Sequence, residues 1–300
     1  MPKAVANGIQ IEYETFGKPS SPALLLIAGL GGQMIGWDEE LCKEWARRGL
    51  YVIRFDNRDV GLSTKIEEAG LPDLKGALAA RKKGEKVHAP YTLDDMADDA
   101  VGLLDALKID KAHLCGISMG GAIAQTIAYR QPSRVRSMTQ VYATTGNPQL
   151  PQPKPEILDL LLTPPPPERE DYVNYMLKLY RTIAGTGFPF DEDWHKNLAR
   201  RSYDRAYYGP GKARQFLAVL AHGNRKPFLA SITAPTLVIH GADDPLVPVS
   251  GGIDSAEAIP GAELMIIEGM GHDMPHGSAW PRIVEAVVAH IRKAEGCGSA

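Results

Sequence analysis

A mostly parallel α/β sheet, covered by helices on both faces, is what this 300-residue sequence predicts. Short apolar runs alternate with stretches of helical period on both sides of a proline-rich interruption, as strands and crossover helices do in such a sheet. The run Ala23-Leu24-Leu25-Leu26-Ile27 is apolar without alternation, which suits a strand covered on both faces. Asn7-Gly8, between Lys3–Ala6 and the alternating Ile9-Gln10-Ile11-Glu12-Tyr13, predicts an antiparallel hairpin ahead of the parallel strands.

After the first buried strand come Gly29, Gly31 and Gly32, then a helix over about 37–48 and a strand over 51–55. Residues 64–91 are polar and without period, which predicts a surface excursion in which Arg81-Lys82-Lys83 is a solvated loop. Thr92 caps a helix with Leu93, Met96, Ala97, Ala100, Val101, Leu104 and Leu107 at helical spacing. Its aspartates at 94, 95, 98 and 99 favour the helix N-terminus and are expected to face solvent. A strand is expected over 135–142. Seven prolines between Pro151 and Pro167 then rule out a sheet strand there. Strand and helix resume with a strand over 235–241, a short helix over 252–258, the strand Glu263–Ile267 and a helix over 283–291. The expected layout is a core of residues 1–146 and 225–300 interrupted by an inserted helical segment, 147–224.

Composition narrows the function. A net charge of −3 gives no reason to expect nucleic acid or an acidic membrane surface as partner. Residues 1–16 contain Glu12 and Glu14 and no apolar signal-peptide core, and no apolar run approaches a membrane span. Cys42, Cys115 and Cys297 are an odd number at unrelated spacings, so reduced thiols and a cytoplasmic setting are expected. Oligomeric state is left open.

The chemistry centres on Gly116-Ile117-Ser118-Met119-Gly120, where an apolar strand over 112–115 meets a helix starting near Met119. So tight a turn strains the serine backbone and needs glycine on both sides, where a Cβ would strike the neighbouring strand and helix. It lifts the hydroxyl above the sheet edge and sets a helix N-terminus beneath any negative charge formed there. A serine becomes a nucleophile beside a base, and a histidine base needs a carboxylate to fix its tautomer. In an open α/β sheet such groups lie beyond the carboxyl ends of strands. Gly241-Ala242-Asp243-Asp244-Pro245-Leu246-Val247-Pro248 and Glu268-Gly269-Met270-Gly271-His272 qualify, with Asp243 competing with Asp244 for the acid. The glycines at 29, 31 and 32 lack the Lys-Ser/Thr of a phosphate loop. His272 and His276, with Asp273 between, lack a third metal ligand nearby. His113, His195, His222, His240 and His290 show no partner pattern and are expected to be structural or solvent-facing.

Gly116-x-Ser118-x-Gly120, Gly241-x-x-Asp244-x-x-x-Pro248 and Gly269-x-Gly271-His272 resemble the α/β-hydrolase superfamily over nearly the whole chain. The insertion resembles that superfamily's variable cap. The resemblance implies Ser118 as nucleophile, Asp244 as orienting acid and His272 as base. It also implies the backbone N–H groups of Leu30 and Met119 as oxyanion hole, with no metal or organic cofactor. Ala28-Gly29, Arg54-Phe55-Asp56-x-Arg58-Asp59-x-Gly61-x-Ser63 and the stretch from Pro260 through His272 are similar to bacterial esterases of the aclacinomycin methylesterase type. Ala28 stands where many relatives have histidine, which leaves a backbone donor unaffected. Gly31 stands where relatives with cofactor-free peroxidase activity have proline, which points away from perhydrolysis.

The implied activity is hydrolysis of a carboxylic ester through an acyl-serine. Acyl transfer, perhydrolysis and thioester, lactone or amide cleavage would use the same triad, and a catalytically silent receptor or scaffold is the alternative from another class. The insertion carries Leu160, Leu161, Leu162, Tyr172, Tyr175, Met176, Tyr180, Phe188, Phe190, Trp194, Tyr203, Tyr207, Tyr208 and Phe216. More than half of these are expected to hold the cap on the core, and the rest to roof Ser118 for a small, uncharged, apolar ester.

Overall fold

Asn7 and Gly8 both adopt positive φ, 49° and 79°, the two-residue turn whose twist matches flanking strands. They join β1 (Lys3–Ala6) to β2 (Ile9–Phe16) in the computed structural model, which describes residues 2–296. Cys297 lies outside them. The remaining strands are β3 (Ala23–Ile27), β4 (Tyr51–Phe55), β5 (Ala112–Ile117), β6 (Val135–Val141), β7 (Thr236–Gly241) and β8 (Glu263–Ile267). Their order is β1-β2-β4-β3-β5-β6-β7-β8. The β1–β2 and β2–β4 pairs are antiparallel and all the others parallel.

Side chains alternate across a strand, so β3 feeds two separate cores. Leu25 and Ile27 pack on α3 (Leu93–Ala106) and α4 (Met119–Arg130), using Met96, Ala100, Ile123 and Ile127. Leu24 and Leu26 pack on α1 (Glu39–Arg47) and α11 (Trp280–Ala294), using Trp45, Val284 and Val287. With both faces covered, a polar residue in β3 would have no water to reach, hence the unbroken apolar run. Between β4 and α3 lies α2 (Leu74–Lys82). Between β6 and β7 lie α5 (Pro155–Leu162), α6 (Arg169–Ile183), α7 (Glu192–Ala206), α8 (Gly209–His222) and the short α9 (Lys226–Leu229). α10 (Ser250–Ala258) links β7 to β8.

Several local expectations need correction. Residues 64–91 contain α2, whose N-terminus is capped by Asp73 accepting the Gly76 N–H. None of its side chains is buried, so it carried no apolar period to read. Arg81 and Lys82 belong to that helix, and Arg81 donates to Leu220 O at 2.8 Å. α1 starts at Glu39 because Asp38 caps it, accepting the Glu40 N–H. α11 starts at Trp280, ahead of the apolar stripe. Asp99 does not face solvent: it is buried and takes both Nε and Nη2 of Arg58, at 2.6 and 2.7 Å.

Candidate active site

Ser118 sits at the β5–α4 junction with φ 52° and ψ −120°, a conformation that costs a non-glycine residue about 1–3 kcal/mol. The flanking glycines make that turn possible by close approach. A Cβ at Gly116 would lie 2.2 Å from Gly120 O, and one at Gly120 would lie 2.1 Å from Ile27 O. The Ser118 N–H is held by Val141 O at 3.0 Å, which fixes the elbow to β6.

The Ser118 hydroxyl lies 2.9 Å from His272 Nε2, and His272 Nδ1 lies 2.7 Å from Asp244 Oδ2. Asp243, by contrast, is exposed, so the structure joins only one of the two adjacent aspartates to the histidine. Asp244 Oδ1 is occupied by the N–H groups of Leu246 and Val247 at 2.9 and 2.7 Å. Burial alone would raise the pKa of Asp244. The charge of His272, hydrogen bonds from His240 and His272 and the Val247 N–H outweigh it and bring it down to about 2. The imidazole of His272 packs against the Tyr142 ring, 4.6 Å between centroids, and its backbone N–H donates to Ile183 O at 2.8 Å.

The loop after β3 lies directly beside Ser118, since a Cβ at Gly29 would come 3.3 Å from Ser118 Cβ. The Leu30 N–H has no partner among the described residues. Met119 opens α4, where N–H groups have no intrahelical acceptor. Two free donors beside a hydroxyl–imidazole–carboxylate chain can stabilise an oxyanion formed when the hydroxyl adds to a carbonyl.

These groups open into a cavity of about 280 Å³ roofed by the segment between β6 and β7. Eight of the fourteen large apolar and aromatic side chains named above line it, namely Leu161, Tyr172, Tyr175, Met176, Tyr180, Trp194, Tyr207 and Tyr208. The expectation that most would only hold the roof down is therefore corrected. Polar clamps share the holding. Asp59 takes Arg214 Nε and Nη2 at 2.9 and 2.7 Å and the Tyr91 hydroxyl at 2.6 Å. Asp56 pairs with Arg205 at 2.7 Å. Gln215 accepts the Gly31 N–H at 2.8 Å and donates to Arg58 O at 2.7 Å, so α8 tethers the loop that carries Leu30. Asp56-x-Arg58-Asp59 is thus a buried docking block, a role invisible from its motif. His276 pairs with Asp191 at 2.8 Å and stacks on Trp194, and no group of metal-ligating side chains is found among the described residues.

Sequence reasoning missed His240, Asp273, Arg205, Lys212, Arg214 and Gln215. None of the five histidines without a partner pattern is solvent-facing. His113, His195, His240 and His290 are buried, the His222 side chain is 8% exposed, and His240 Nε2 lies 3.4 Å from Asp244 Oδ2. Asp273 lines the cavity and has no ion-pair partner among the described residues. Burial raises its pKa to about 6, against the pull of the Gly185 and Gly271 N–H groups. Its folded value lies above the ordinary carboxylate value, so its ionisation disfavours the fold increasingly from about pH 4 to about pH 6. Asp273→Asn should therefore stabilise the protein by about 2 kcal/mol at pH 7.5 and by almost nothing at pH 4. Urea unfolding at both pH values checks this; equal effects at the two would refute it.

No helix of the described residues is long and apolar enough to cross a membrane. The chain is 31% identical to the rhodomycin D methylesterase DauP of a Streptomyces species, with 94% of each chain covered. It is 27% identical to 3-oxoadipate enol-lactonase 2 of Acinetobacter baylyi, again with 94% of each covered. A solved meta-cleavage product hydrolase from Pseudomonas fluorescens shares the fold, with TM-score 0.74 and 22% identity over 98% of both chains. The family model for the alpha/beta hydrolase fold matches residues 22–277, and the chain belongs to that family.

Proposed function

We propose that this protein hydrolyses carboxylic esters through an acyl-serine intermediate, with Ser118 as nucleophile, His272 as base and Asp244 as orienting acid. The observation that carries the reading is the unbroken Asp244–His272–Ser118 chain, 2.7 and 2.9 Å, opening into the cavity. Asp244 holds the Nδ1 proton, leaving Nε2 free to take the proton of Ser118 as Oγ adds to the ester carbonyl. The N–H groups of Leu30 and Met119 hold the oxyanion, assisted by the positive end of α4. The proton passes from His272 to the departing alcohol. Water, deprotonated by the same nitrogen, then releases the acid and restores Ser118. None of these steps calls for a metal or organic cofactor.

Residues 147–224 act as a cap over the core formed by 1–146 and 225–300. Its aromatic and aliphatic lining suits an ester with an apolar acyl or alcohol part. The relatives' names, a methylesterase and an enol-lactonase, agree with acyl–oxygen cleavage. The buried thiols of Cys42 and Cys115, both free, suit a reducing compartment such as the cytoplasm. A fluorophosphonate probe is expected to label Ser118. Along a series of p-nitrophenyl esters, KM should fall as the acyl chain lengthens, by up to about fourfold per buried CH₂, until the cavity is full. Absence of labelling together with absence of turnover would defeat the reading.

A further inference from the structure

Other buried or half-buried cations around the roof meet a carboxylate or several oxygens; Arg205 has Asp56 and Gln33 Oε1, although its Nε and Nη2 have no partner among the described residues. Arg214 has Asp59, Arg58 has Asp99, and Arg225 has Gln125 Oε1 and the carbonyls of Thr144 and Gly223. Lys65 donates to the carbonyls of Val60, Gly61 and Ser63. Lys212 is different. Lys212 lines the cavity, and its ammonium donates to one acceptor among the described residues, the hydroxyl of the lining residue Tyr175 at 3.1 Å. That hydroxyl in turn hydrogen-bonds backbone carbonyls of Leu160 and Thr163, so it is a fixed neutral post rather than a counter-ion. No carboxylate pairs with Lys212 among the described residues, and two of its three N–H donors remain unused.

The position of Lys212 relates it to the reaction. Its stem packs on Gly31, where an added Cβ would lie 3.0 Å from Lys212 Cγ, and Gly31 follows Leu30 in the loop beside Ser118. Asp273, the other charged group of the cavity wall, belongs to the His272 loop and accepts the Gly271 N–H there. Removal from water lowers the Lys212 pKa to about 8, so it remains largely cationic at neutral pH. An ammonium held in an apolar cavity with unused donors is costly unless an anion completes it.

We propose that Lys212 is a substrate-recognition cation: the esters this cavity takes carry, on an otherwise apolar acyl or alcohol part, one carboxylate that pairs with its ammonium. This rests on the ester-hydrolase reading and replaces the uncharged substrate that the apolar lining alone suggests. The repulsion of Asp273 favours the bound orientation with the carboxylate at the Lys212 wall.

Four esters test it in two matched pairs. Mono-p-nitrophenyl glutarate against p-nitrophenyl pentanoate places the carboxylate on the acyl side. The butanoate ester of 3-hydroxybenzoate against phenyl butanoate places it on the alcohol side. In Lys212→Met, kcat/KM for at least one carboxylate ester should drop by about tenfold to a hundredfold, mainly through KM, while both neutral esters stay within about twofold. Lys212→Arg should keep most of the charged-to-neutral ratio, which a purely packing role would not require. Lys212→Gln, uncharged but still a donor, is measured alongside so that poor folding of the methionine variant does not decide the matter. Charged-to-neutral ratios unchanged in both neutralised variants would overturn the proposal. A wild-type protein that turns over none of the four esters would instead defeat the ester-hydrolase reading, and this one with it.

Discussion

Ser118→Ala is expected to lower kcat for ester hydrolysis by on the order of 10⁴ to 10⁶, as removal of a triad nucleophile does when base and oxyanion donors act only through it. The loss corresponds to about 5–8 kcal/mol of transition-state stabilisation. Little of it should come from misfolding. Alanine keeps the Cβ, so the strained backbone at φ 52° is retained, and among the described residues the only side-chain hydrogen bond removed is the 2.9 Å contact with His272. Thermal unfolding should therefore shift by only a few degrees while turnover collapses. A variant that retains more than a tenth of wild-type kcat would move the nucleophile elsewhere.

Asp244→Asn is expected to cost about 10⁴ in kcat, the scale seen when the orienting acid of a triad becomes an amide. The local hydrogen bonds say why. The N–H groups of Leu246 and Val247 already claim one oxygen of Asp244. In the asparagine variant they will hold the amide oxygen, turning the NH₂ toward His272 Nδ1. Nδ1 must then accept, the imidazole proton moves to Nε2, and the nitrogen facing Ser118 is no longer a base. Asp243→Asn, at an exposed position, should leave kcat within about twofold. Comparing the two variants in steady-state assays decides the matter, and the opposite ranking would transfer the acid role to Asp243.

Much of the fold was legible because its signals are local. Asn7-Gly8 requires positive φ at both residues, and the hairpin register follows from that alone. The apolar run of β3 reports burial on two faces without any knowledge of its neighbours. The elbow is legible as a five-residue pattern: Gly116 is needed where the turn crosses back on Gly120, although Gly120 itself is needed by the close approach of β3 at Ile27. By contrast, α2 has no buried face, so its sequence carries no period, and its place is set by contacts such as Arg81 with Leu220 O.

By itself, then, the sequence determined the order of the strands and of the helices that cover the sheet, the turn that carries Ser118 and the serine–acid–histidine order, because period, turn residues and short spacings act over neighbouring residues. The Gly241-x-x-Asp244 spacing favoured Asp244 over Asp243, and the structure joins Asp244 to His272 at 2.7 Å while Asp243 is exposed. Tertiary structure alone decided that Asp56, Asp59 and Asp99 are buried partners of arginines as distant as Arg214, rather than solvated charges. Lys212 belongs with these. Its stem lies on Gly31 and it lines the cavity only because α8 docks over the loop after β3, a contact between residues far apart in the chain. A buried charge takes its meaning from the groups packed around it, and those are chosen by the fold rather than by neighbours in sequence.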